Sequence, residues 1–188
     1  MKNKNKINKN KNYLKTTLTT IILFCTLLSY QIAFASSITP RDLGDFLNKE
    51  RTAHSLSTLA WNYKLEMAAS AKAQDMIIRN YFDHYAPDGT SPWYFINEAQ
   101  YHYKSAGENL AIDFVTSKAV HDAWMASPLH RENMLNAKYE DYAIAVKDGV
   151  INGEQTTVIV EMFGREDASM LAKTNQLINM VLSYLLGK

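Results

Sequence analysis

Tyr142-Ala143-Ile144-Ala145-Val146, followed by Thr156-Thr157-Val158-Ile159-Val160-Glu161-Met162-Phe163, is the stretch that decides the fold class of this chain. Both runs are rich in β-branched and aromatic residues. Asp148-Gly149 and Asn152-Gly153 lie between them, so the pair reads as an antiparallel hairpin, and either dipeptide can make the tight turn. Upstream the pattern is helical. Thr39-Pro40-Arg41-Asp42 is a helix start, with a hydroxyl cap, a proline at the first position and an acid in the first turn. Leu43, Phe46 and Leu47 supply its apolar face. Asn62 caps a second helix striped by Leu65, Ala68, Ala69, Ala73, Met76 and Ile77, which fades at Asn80-Tyr81. Ser91-Pro92 starts a short helix, Ser117 caps the next, and Ser127-Pro128 stops that one and starts another. Helices first and an antiparallel pair last predict an α+β domain, not a parallel wound sheet.

The 188 residues, 47% of them hydrophobic, suffice for one domain with a substantial core. The first fifteen residues hold six lysines and no acid, and are followed by the apolar run Leu18–Leu28 and then Ala33-Phe34-Ala35. That order reads as a secretory signal peptide over 1–35, with a retained membrane anchor as the rival reading. Export is expected either way, to the extracellular side or another extracytoplasmic compartment. Cys25, the single cysteine, falls inside the apolar run, so a chain starting at Ser36 has no disulfide, thiolate ligand or cysteine nucleophile. Loss of the six leader lysines would leave 14 basic residues against 19 acidic ones. An acidic domain argues against nucleic acid as a partner. The expected domain therefore spans 36–166. At 167–188, Leu171, Leu177, Ile178, Val181, Leu182, Leu185 and Leu186 recur at three- and four-residue intervals as an amphipathic helix. It is read as docked on the domain's own core, with membrane or protein contact as the alternatives.

Three short segments carry the chemistry. Tyr81-Phe82-Asp83-His84, Ala106-Gly107-Glu108-Asn109-Leu110-Ala111 and Ser127-Pro128-Leu129-His130-Arg131 each set one ionisable side chain beside turn or capping residues. His84, Glu108 and His130 are expected to converge on one polar site. His54, His102 and His121 are read as structural, and Trp61, Trp93 and Trp124 as core. No serine with a convincing base and orienting acid stands out.

Asn48–Arg51, Tyr81–His84, Asp88-Gly89-Thr90-Ser91-Pro92, Gly107–Ala111, Trp124–Arg131 and Met162-Phe163-Gly164 occur in an order that resembles the bacterial branch of one superfamily. It contains the cysteine-rich secretory proteins, antigen 5 and the pathogenesis-related proteins, known as CAP or SCP domains. The resemblance covers roughly Asp42 to Arg165. It implies a three-layer α-β-α sandwich in which helices flank a small antiparallel sheet. It also implies a cleft of two histidines and two acids that takes a divalent metal in some members. Carried over, His84 and His130 match the histidines and Glu108 matches one acid. The second acid is missing where many members have it, since Met125-Ala126-Ser127 follows Trp124, and Asp122 precedes it.

Two imidazoles suit zinc, and Glu108 is either a third ligand or the group that holds one ring by its second nitrogen. His84, Glu108 and His130 are thus the metal candidates and the candidate catalytic residues. The expected function is non-enzymatic ligand binding through this cleft, with a peptide, carbohydrate or lipid as ligand. The alternatives are a metal-dependent hydrolase, such as a peptidase, and a scaffold that docks a partner through its C-terminal helix.

Overall fold

A computed structural model describes residues 37–186; the expected leader and Cys25 lie outside the described residues. Thr39 has extended backbone (φ −123°) and its hydroxyl accepts the Asp42 amide at 3.0 Å, so α1 (Pro40–Ala53) begins at the proline as the cap pattern predicts. β1 (Ala60–Trp61) follows, and the Asn62 side chain accepts the Lys64 amide to open α2 (Tyr63–Ile78). Then come α3 (Pro92–Glu98), β2 (Tyr103–Ile112), α4 (Ser117–Ala126), α5 (Pro128–Met134), β3 (Asp141–Ile151), β4 (Glu154–Glu166) and α6 (Ala168–Leu186).

Two caps differ from expectation. Thr116, not Ser117, caps α4, its hydroxyl accepting the Ala119 amide. The Ser117 hydroxyl instead accepts the Thr39 amide, tying α4 to the start of α1. Ser127 occupies the cap position of α5 through its backbone alone, with no side-chain cap bond.

The sheet order is β1-β3-β4-β2, antiparallel except where the two-residue β1 pairs parallel with β3. Asn152-Gly153 makes the hairpin turn, with both residues at positive φ (54° and 84°) and Ile151 opposite Glu154. Gly149 lies within β3 opposite Thr156, where a Cβ would come 2.6 Å from Ile77 Cγ2. Its bareness lets α2 approach the sheet.

Alternation along β4 separates two cores. Val158, Val160 and Met162 face Leu65, Ala69 and Met76 of α2 and Phe95 and Ile96 of α3. Ile159 and Phe163 face Leu43 and Leu47 of α1, Val120 and Trp124 of α4 and Met134 of α5. Helices cover both faces, so the domain is the α-β-α sandwich, and the strand reads as a continuous apolar run. Each fully buried leucine or isoleucine here contributes about 1.5–3 kcal/mol.

Trp124 is buried and donates its indole N–H to the Leu110 carbonyl at 3.0 Å. Trp61 departs from the core expectation. It lies exposed, edge-on to Tyr142, with its N–H on Glu66, because β1 is an edge strand of only two residues. α6 forms where its periodicity predicts, rooted by the Asp167 amide on the His102 carbonyl. Its described side chains are exposed, so among the described residues its apolar stripe does not meet the core. Among the described residues no helix is long and apolar enough to cross a membrane.

Candidate functional site

The site is built around β2, an edge strand of the sheet. Successive strand residues point to opposite faces, and here the alternation recruits one histidine from each helical layer. Glu108 lies on the side of the α2–α3 layer, where its Oε1 meets His84 Nδ1 at 2.7 Å. Asn109 faces the other layer, and its Nδ2 donates to the His130 carbonyl at 3.2 Å. Asn133, one turn after His130 on α5, donates to both the Glu108 carbonyl (3.0 Å) and Asn109 Oδ1 (2.9 Å). The C-terminus of α5 is fixed in turn by buried Arg51, whose Nη1 donates to the carbonyls of Met134 (2.8 Å) and Asn136 (3.0 Å). His84 and Glu108 are thus joined side chain to side chain, whereas His130 is tied to β2 through its backbone carbonyl.

Their electrostatics are unequal. The hydrogen bond to Glu108 raises the pKa of His84, opposed by partial burial. Burial raises the pKa of Glu108, opposed by His84 and by the Lys72 charge. Both directions describe one proton held between carboxyl and imidazole. His130 moves the other way, lowered by burial and then by the charge on His84. Glu108 Oε2 and His130 Nδ1 are both buried without a hydrogen-bond partner. A cavity of about 330 Å³ opens beside the His84–Glu108 pair, with His84, Tyr85, Trp93, Glu108 and Asn133 in its wall. A larger, shallower groove of about 650 Å³ runs along α5 past Met125, Arg131, Leu135 and Lys138, and contains none of the three site residues.

Two polar residues under the site are invisible to motif reading. Glu161, in the apolar run of β4, is fully buried and accepts from Asn109 Nδ2 at 3.0 Å. Burial pushes its pKa up to about 8. The second is Lys72, buried beneath the His84 loop. An acid in a strand otherwise apolar on both faces is the one signal that could have flagged Glu161. Asp122, the other acid considered, pairs with Lys118 on the exposed side of α4. Among the described residues no three histidine, cysteine, aspartate or glutamate side chains converge as a ready metal cage. With Oε1 on His84 Nδ1, Glu108 stands behind that imidazole as the ring-holding carboxylate.

Residues 45–161 match the model of the cysteine-rich secretory protein family, CAP. The chain belongs to that family. Over 112 residues it is 38% identical to an uncharacterized protein, YkwD, of Bacillus subtilis (strain 168), covering 59% of this chain and 44% of that one. It is also similar to an extracellular protein containing an SCP domain from Bacillus anthracis str. Ames, at 26% identity and a TM-score of 0.57, covering 67% of this chain and 40% of that one. An outer surface protein of Borrelia burgdorferi shares the fold at 22% identity and a TM-score of 0.59, covering 68% of this chain and 92% of that one. The chain spans less than half the length of the two Bacillus proteins. What the CAP assignment fixes is therefore the domain, 45–161, which contains all three site residues.

Proposed function

We propose that this CAP domain is a non-enzymatic binding module that works at the cell envelope or outside the cell. It takes its ligand in the His84–Glu108–His130 cleft. The observation that carries this reading is the 2.7 Å bond between His84 Nδ1 and Glu108, which leaves the second ring nitrogen of His84 for a ligand. Behind it, the buried and unpartnered Glu108 Oε2 is an acceptor for a donor-bearing group. Trp93 and Tyr85 add aromatic surface at the cavity wall, which suits a small polar ligand with one flat apolar face.

The same donors suit a divalent ion such as zinc. His84 and His130 would hold it through ring nitrogens, with Glu108 orienting His84, and a bound ion would supply Lewis acidity. Calorimetric titration of the protein with zinc, beside a folded His130→Ala variant, tests the reading. One-site binding that disappears in the variant supports it. Absence of binding by folded wild type overturns the metal part. Turnover of a peptide substrate that is lost in both His84→Ala and His130→Ala would replace the binding module with a hydrolase.

A second reading follows from α6, whose exposed Leu177, Ile178, Val181, Leu182, Leu185 and Leu186 suit a docking element. The domain would then be a scaffold for a protein or membrane surface. Deleting residues 167–188 tests it, and unchanged partner capture or vesicle binding would reject it.

A further inference from the structure

Lys72 is fully buried, although a long apolar side chain would fill the same space without the cost of desolvating a charge. Its ammonium has three donors, and all three are used. Nζ donates to the Asp83 carbonyl at 2.8 Å, to the His84 carbonyl at 2.8 Å and to the Tyr81 hydroxyl at 3.2 Å. It also stands 4.8 Å from the Tyr81 ring centre and 5.7 Å from that of Phe95, so aromatic faces line its pocket.

Two neighbours extend the arrangement along one face of α2. Asp75 accepts from the Tyr81 hydroxyl at 2.5 Å, and Arg79 reaches Asp75 at 3.7 Å and Asp88 at 3.0 Å. Positions 72, 75 and 79 fall at helical spacing, so a single stripe grips the loop from Tyr81 to Asp88. His84 is on that loop. Its imidazole meets Glu108 on β2 at 2.7 Å, and the carbonyls of His84 and the residue before it both end on Lys72.

We propose that Lys72 is the positioning residue of the cleft: by holding the carbonyls of Asp83 and His84, its ammonium sets the His84 imidazole on Glu108. The zinc arm of the following test rests on the binding reading above; the imidazole arm does not. With 15N-labelled histidine, the wild-type spectrum should show His84 with a hydrogen-bonded Nδ1–H. Lys72→Met should remove or broaden that signal and weaken zinc binding about tenfold, the scale seen when a group supporting a ligand is lost. Met76→Ala, a fully buried change on the same helix, serves as the control for lost stability and should leave the His84 signal in place.

Folded Lys72→Met with an unchanged His84 signal would overturn the proposal. Loss of the signal in both Lys72→Met and Met76→Ala would overturn it too, by reducing Lys72 to a stability role. Wild type that shows the His84 signal and does not bind zinc would sink the metal reading and leave the positioning role standing. If Lys72→Met does not fold, wild type carries the test. Hydrogen-bond couplings from Lys72 Nζ to the carbonyl carbons of Asp83 and His84 are then expected, and their absence overturns the proposal.

Discussion

Glu108 and Asn109 are adjacent on β2 and point to opposite faces of the sheet, one meeting the His84 imidazole and the other the His130 backbone carbonyl. The pleat of one edge strand thereby ties segments from two helical layers to a single strand. The Gly107–Ala111 segment, already prominent in the sequence, owes its importance to this alternation.

The two histidines should titrate apart. The folded pKa of His84 lies above the ordinary histidine value because Glu108 accepts its Nδ1–H, and that of His130 lies below it because of burial and the His84 charge. Histidine proton NMR against pH should therefore show His130 losing its proton first. Glu108→Gln should bring the His84 midpoint down. The stability that His84 contributes is complete below the unfolded value and is lost as pH rises through the raised folded one.

Glu161→Gln should remove a slope from the stability profile. Folded Glu161 keeps its proton to about pH 8, whereas the ordinary glutamate value is 4.5. Its contribution is full below the lower value and is lost as pH rises through the upper one. Urea unfolding at pH 5 and pH 9 should show wild type losing, relative to the variant, on the order of a few kcal/mol. Equal profiles would mean that Glu161 is ionised in the fold.

Gly107→Ala should disturb the site from behind. A Cβ there would run into the Tyr139 hydroxyl and come 2.9 Å from Asn133 Oδ1. Tyr139 is bonded to the Ala106 carbonyl, and Asn133 links α5 to β2. Overpacking of this kind costs about 1–3 kcal/mol. The thermal midpoint should fall, and the amide shifts of Asn109 and His130 should move together.

Arg51→Met should destabilise the domain by at least about 1–3 kcal/mol, the cost of leaving a buried acceptor without its donor. The carbonyls of Ser57, Met134 and Asn136 would lose their donor. Arg51→Lys should recover only part of this, since a point charge cannot span what a guanidinium fork reaches. Denaturant midpoints of the three proteins decide it.

Much of the fold was legible because local chemistry settles it. Thr39-Pro40 and Asn62 cap helices where expected, and the β3–β4 pair forms from its β-branched runs. Local pattern does not mark β2 as a strand, because Tyr103–Ile112 mixes Gly, Glu and Asn with small residues and gains its identity from pairing with β4. The choice between the two turn dipeptides also waited on packing: Gly149 is required by the approach of Ile77, which left Asn152-Gly153 to make the turn.

His84, Glu108 and His130 could be named from the sequence because each sits in a motif with its own local geometry. Sequence alone also determined the starts of α1 and α2, the β3 and β4 runs and the cysteine-free character of 36–188. Only the tertiary structure decided that Glu108 backs His84, that Asp122 stays outside, and that Lys72 and Glu161 lie buried beneath the site. The physical reason is that a side chain's partner across tens of residues is set by which faces of sheet and helix close on each other. Local pattern fixes which way a residue points within its element, and packing alone fixes what it meets.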